Sequence, residues 1–210
     1  MSTPGKFITL EGSEGAGKST AMQAITSVLT EWGTEHIQTR EPGGEANAER
    51  IRELLLHSDH LDDNTELLLM FAARNEHLVK TIRPALQQGT WVVSDRFADA
   101  SFAYQGFGRQ INWETIEYLE NWIVGETHPD LTILLDVDPS EGLSRAAKRS
   151  AKDRIEKENL NFFNNIRKGY LKRLEQHPER IFRVDANQAI DQVALQIRQI
   201  LHNHKPTLCP

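Results

Sequence analysis

Apolar residues in this chain fall into two alternating kinds of run. Some form short unbroken blocks bounded by turn residues; others recur at a helical period over longer stretches. The first block, at residues 6–11, predicts a buried strand that ends at Gly12. Ala21, Ile25, Val28, Leu29 and Trp32 then predict a helix, and Gly33 stops it. By the same reading, residues 36–40 form a second strand and 45–57 a helix. Residues 64–80 form a longer helix capped by Asn64 or Thr65, and 90–95 a third strand. A polar, glycine-bearing stretch reads as a loop, followed by a helix carrying Trp113, Ile116, Leu119, Trp122 and Ile123 and ending at Gly125. A fourth strand at 131–136 is followed by Asp138 and Pro139, which suit a helix N-cap and first position. A fifth strand at 180–184 precedes a final amphipathic helix. Trp32, Trp113 and Trp122 sit at helical spacing among other apolar residues and read as packing.

Strands alternating with helices predict an α/β fold: a parallel sheet with helices on both faces and ligands at the carboxyl ends of its strands. The 210 residues, 39% hydrophobic, suit a single domain with a full core. With 24 basic and 30 acidic residues the net charge is −6, and no long block of one sign occurs. This argues against a nucleic-acid partner, and a phosphate site would have to gather its cations locally. Cys209 is the only cysteine, which excludes an internal disulfide and favours a reducing cytoplasm. No signal-like segment opens the chain, and the longest apolar stretch, at 67–73, is too short to span a bilayer, so neither export nor a membrane anchor is expected. His57 and His60, with Asp59, Asp62 and Asp63, read as a solvated loop between helices rather than a metal site.

The strongest motif lies between the first strand and the first helix. Gly12, Ser13, Glu14, Gly15, Ala16, Gly17, Lys18 and Ser19, followed by Thr20, form a complete G-x-x-x-x-G-K-S. Such a loop curls its backbone N–H groups around a nucleotide phosphate, with Lys18 reaching the β- and γ-phosphates and Ser19 a Mg²⁺ ion. Two strands end in aspartate. Asp95 is followed by Arg96, which couples a metal-facing carboxylate to a guanidinium able to fork onto an acceptor phosphate; Asp136 reads as a strand-end residue. Arg145, Lys148, Arg149, Lys152 and Arg154 make a dense basic segment, while the variable P-loop positions hold no arginine.

Taken in order, these motifs resemble bacterial thymidylate kinases over essentially the whole chain. Leu10-Glu11-Gly12 leads into the P-loop, followed by Thr39-Arg40-Glu41-Pro42-Gly43-Gly44, Phe71-Ala72-Ala73-Arg74, Asp95-Arg96-Phe97, Ala103-Tyr104-Gln105-Gly106 and Asp153-Arg154-Ile155-Glu156. The resemblance implies a P-loop NTPase three-layer sandwich with a five-stranded parallel sheet, a short lid at about 145–158, a homodimer, and transfer from Mg-ATP to dTMP. It places Phe71 on the pyrimidine, Arg74 at its O4, and Ser101 and Gln105 near its edge. Tyr104 lies against the sugar, Arg52 and Arg96 on the acceptor phosphate, and Glu11 and Glu41 at the 3′-hydroxyl or metal-linked water. Arg149 and Arg154 become the lid cations of the transition state, and Arg145 faces the adenine or packs the base of the lid. The chain has Ala100-Ser101 where many relatives have two serines, so one contact is absent or made by water, and Phe102 receives no role. Two alternatives remain: a kinase for another nucleotide or deoxynucleoside, and a P-loop switch, against which the missing N-K-x-D motif speaks.

Overall fold

A computed structural model describes residues 4–148 and 153–209. Strands β1 (Phe7–Gly12), β2 (His36–Arg40), β3 (Trp91–Asp95), β4 (Leu131–Asp136) and β5 (Ile181–Asp185) form one parallel sheet in the order β2-β3-β1-β4-β5. The helices are α1 (Lys18–Glu31), α2 (Ala46–His57), α3 (Asp63–His77), α4 (Arg83–Gln87), α5 (Ala98–Ser101), α6 (Trp113–Ile123), α7 (Pro139–Ala146), α8 (Leu160–Gln176) and α9 (Ile190–Leu208). They cover both faces of the sheet, which is why β1 and β4 are buried along their whole length and read as unbroken apolar blocks. One face packs α1 and α9 over Ile8, Leu10, Val93 and Ile133; the other packs Phe97, Ala103, Phe163, Ile166 and Tyr170 over Phe7, Val92 and Leu134.

The chain winds first to one side of β1 and then to the other, so a crevice opens where the sheet changes direction. Register aligns Leu10 with both Asp95 and Ile133, which brings the P-loop and Asp95 to the same edge of that crevice.

Four details depart from the sequence reading. Asp62, rather than Asn64 or Thr65, caps α3, its carboxylate accepting from both of their backbone N–H groups. The expected loop after Arg96 is α5 running into a π-helical stretch, Phe102–Gly108, buried from Phe102 to Gly106. Its glycines and glutamine mimic loop composition, but it is held by α8, an element the sequence reading did not assign. Contact there is close: a Cβ at Gly169 would lie 2.7 Å from the Ala103 Cα. Finally, Trp122 is not packing in this chain; it is 70% exposed beside Tyr118.

Candidate active site

The turn between β1 and α1 is built on glycines at positive φ, Gly12 at 148°, Gly15 at 70° and Gly17 at 91°. Gly15 is also wedged against α7, where a Cβ would sit 1.9 Å from the Gly142 carbonyl oxygen. Helix α1 starts at Lys18 with no side-chain cap and no acid in its first turn, so its N-terminal N–H groups stay available to an anion. The Lys18 ammonium folds back toward the Gly12 and Ser13 carbonyls at 3.4 and 3.5 Å. Burial, with the nearby Arg96 charge, lowers its pKa, so an incoming phosphate would restore what the ammonium lacks.

Beside this turn lies a cleft of about 250 Å³ that also takes in Arg52, Met70, Asp95, Arg96, Tyr104 and Gln105. Arg96 leaves β3 at φ 69°, a left-handed conformation held by its N–H to the Leu10 carbonyl at 2.9 Å. That twist turns its guanidinium onto Glu14 Oε1 at 2.5 Å and the Tyr104 hydroxyl at 2.7 Å. Burial opposes both charges, but the pair outweighs it: Glu14 is lowered to about 2 and Arg96 raised well above its ordinary value. Arg52 donates to the Pro42 carbonyl at 2.8 Å, and burial together with Arg40 lowers its pKa. Asp95 Oδ1 is buried without a hydrogen-bond partner among the described residues.

Two residues expected in the cleft stand behind it. Glu11 is fully buried, accepting from the Phe97 N–H at 2.8 Å and the Tyr170 hydroxyl at 2.9 Å, and burial beside Asp99 raises its pKa to about 8. Glu41 is gripped by Arg74 Nε at 2.7 Å and His77 Nδ1 at 3.0 Å. Glu14, assigned only to the phosphate turn, lines the cleft, as do Asp95, Asp153 and Glu156.

The base end also differs from expectation. Phe71 packs with Leu67, Phe102, Ile116 and Leu119, while Met70 lines the cleft. Adjacent positions on a helix point about 100° apart, so the residue before Phe71 takes the wall and the ring becomes core. Arg74, 1% exposed, gives its Nη1 to Ser101 Oγ and its Nη2 to the Phe97 carbonyl, both at 3.0 Å. Neither Arg74 nor Ser101 lines the cleft, although one N–H remains on each of those nitrogens.

Of the basic segment, Arg145 borders a separate groove between Gly15–Gly17, Thr20 and the Ala186–Val193 region, of about 480 Å³. It is oriented by Glu141 at 2.8 Å and the Ala186 carbonyl at 2.9 Å. Arg154 turns away from the phosphate turn. Its backbone N–H and Nε donate to the Leu56 and Leu55 carbonyls at 3.3 and 3.0 Å, and its Nη2 lies 2.7 Å from Glu66. Arg149 lies outside the described residues. Asp136 is the strand-end residue expected, clasped by Arg167 at 2.6 and 3.0 Å and by Arg183. Met70, Glu66 and His77 carried no sequence signal that singled them out.

Comparison with known proteins agrees along the chain. Residues 10–197 match the family model described as thymidylate kinase. Thymidylate kinases of Vesicomyosocius okutanii and Thiobacillus denitrificans are each 52% identical, covering 94% and 97% of this chain and 97% and 99% of their own length. The crystal structure of thymidylate kinase from Ehrlichia chaffeensis superposes with a TM-score of 0.78 at 32% identity, over 95% of this chain and 99% of that one.

Proposed function

The chain belongs to the thymidylate kinase family, and from that premise we propose how its residues divide the family's reaction, the ATP-dependent phosphorylation of dTMP to dTDP. The observation that carries the reading is that Arg96, Arg52 and Lys18 meet in one cleft of a net acidic protein. Two phosphate sites share a wall there. On the donor side, the groove bordered by Arg145 takes the adenine, and the N–H groups of Glu14 to Ser19 carry the phosphates toward Lys18. On the acceptor side, Arg52 and Arg96 hold the dTMP phosphate, Glu14 faces its 3′-hydroxyl, and the Tyr104 ring crowds the sugar where a ribose would carry its 2′-hydroxyl. The base meets Gln105, Ser101 and the remaining N–H groups of Arg74, with Met70 as wall.

The attacking phosphate oxygen is already ionised, so the site's work is alignment and charge neutralisation rather than deprotonation. Ser19 and the unpartnered Asp95 oxygen suit a hard cation. They would hold Mg²⁺, directly or through water, which when bound neutralises the donor phosphates. Arg149 supplies the transition-state cation from the lid. Exposed Leu68, Tyr118 and Trp122 on the neighbouring helices α3 and α6 support a homodimer. A cytoplasmic location fits nucleotide substrates; no helix among the described residues is long and apolar enough to cross a membrane.

A coupled ADP-release assay with dTMP, dUMP, dCMP, dGMP, AMP and thymidine tests this reading. The highest kcat/KM is expected with dTMP and almost none with thymidine, which offers Arg52 and Arg96 no phosphate. ADP release independent of acceptor would instead indicate a switch NTPase, and preference for another monophosphate would reassign the base site.

A further inference from the structure

Glu66 does not line the cleft, yet it is 1% exposed and gathers three hydrogen-bond donors and a further ion pair. Its Oε1 accepts from Gln105 Nε2 at 2.8 Å and Arg109 Nε at 3.4 Å; its Oε2 meets Arg109 Nη2 at 3.2 Å and Arg154 Nη2 at 2.7 Å. Burial alone would raise its pKa, but the Gln105 hydrogen bond and the Arg109 and Arg154 contacts more than offset this and lower it. Glu66 is therefore ionised at neutral pH, and an ionised carboxylate only accepts.

This fixes the direction of the Gln105 amide. Its NH₂ must face Glu66, since a flipped amide would set oxygen against oxygen in a buried site. Gln105 Oε1 is then left buried without a partner among the described residues, on a side chain that lines the cleft and is itself 1% exposed. Met70, one helical turn after Glu66 on α3, lines the same cleft.

We propose that Glu66 is a positioning residue for base selection. By holding the Gln105 amide with its oxygen toward the cleft, it makes the site favour a base that offers an N–H donor, as thymine does at ring position 3, over one that offers a lone pair there, as cytosine does. The proposal rests on the acceptor-site reading above and adds the residue that sets its polarity. Arg109 and Arg154 keep the carboxylate charged and still, and Arg154 lies in the chain between Asp153 and Ile155, both on the cleft wall. The root of the lid and the base reader therefore share one carboxylate.

Glu66→Gln provides the test. A glutamine there can accept from Gln105 or donate to it, so both amide orientations become possible at nearly unchanged shape. The ratio of kcat/KM for dTMP to that for dCMP should narrow by about tenfold, the size of one buried polar mismatch. The change should lie in KM, because the amide meets the base and not the moving phosphoryl group. A wild-type protein without preference for dTMP would sink the acceptor-site reading itself. A wild type that prefers dTMP, with a folded Glu66→Gln variant whose ratio stays within about twofold, would sink only the role of Glu66. Should the variant not fold, the wild type decides by NMR. The Gln105 side-chain amide signals, identified by their loss in Gln105→Ala, should exchange slowly with solvent and keep that protection when dTMP binds, because the NH₂ stays on Glu66. Rapid exchange, or an amide that turns when dTMP binds, would overturn the proposal.

Discussion

At the residue scale, two carboxylates of the P-loop region have opposite proton affinities. Glu11 is raised to about 8 because burial and the neighbouring Asp99 outweigh its hydrogen bonds from Tyr170 and Phe97. Glu14 is lowered to about 2 because the Arg96 and Lys18 charges outweigh its burial. Linkage gives each a pH window. The folded chain binds the Glu11 proton more tightly than the unfolded chain, so its contribution is fully present below the ordinary value of 4.5 and is lost as pH rises through about 8. The contribution of Glu14 is present above 4.5 and is lost as pH falls through about 2. Glu11→Gln keeps an acceptor for the Phe97 N–H and a donor for the Tyr170 oxygen. Urea midpoints of that variant should therefore decline less between pH 4.5 and about 8 than those of the wild type. An unchanged pH slope would show that Glu11 ionises without penalty.

At the element scale, the arginines of the basic segment have different surroundings. Arg154 is tied to α2 and Glu66, and Arg145 is oriented at the groove beside Gly15–Gly17 by Glu141 and Ala186. On the proposed reading the transition-state role falls to Arg149. Charge spreads over the equatorial oxygens of the moving phosphoryl group, and arginines that meet it contribute about 10³–10⁵ in rate. Arg149→Ala should thus cut kcat by about 10³-fold with dTMP affinity nearly unchanged by calorimetry. Lysine should restore only part, since a point charge lacks the guanidinium fork. If kcat of Arg149→Ala stays within about threefold of wild type, a change under about 1 kcal/mol, the lid does not supply this cation.

At the scale of the whole molecule, α3 and α6 present Leu68, Tyr118 and Trp122 to solvent, each more than half exposed. On the proposed reading these side chains belong to the homodimer contact, since large apolar groups exposed together favour burial against a partner. Trp122→Glu adds a charge there without entering the core, because the ring's aromatic neighbour is the equally exposed Tyr118. Sedimentation equilibrium should show a dimeric wild type and a variant shifted to monomer with unchanged circular dichroism. A wild type that is monomeric at micromolar concentration, or a variant as dimeric as the wild type, would place the interface elsewhere or remove it.

The sequence by itself determined whatever depends on local periodicity and local covalent pattern. Largely apolar blocks marked the central strands β1, β3 and β4 because both sheet faces are covered there, while the edge strands β2 and β5 are partly exposed and mix polar with apolar residues. The glycines and Lys18 of the phosphate turn were legible because that turn is built from its own backbone. Tertiary structure decided what depends on direction and on distant partners. Spacing put Phe71 and Arg74 on one helix but not which neighbouring position meets the cleft, and packing against Phe102 and Ile116 gave that place to Met70. Glu11 and Glu14 look alike in sequence; Tyr170 and Phe97 draw one inward, while Arg96 holds the other at the cleft. The stretch after Arg96 has the composition of a loop, and becomes a buried helix because Gly169 lets α8 approach its backbone. Basic density marked the segment read as a lid but could not separate Arg154, whose partners Leu55 and Glu66 lie far away in the chain, from the other arginines of that segment. Such assignments depend on pair contacts across the fold, and a one-dimensional pattern records the residues without the pairs.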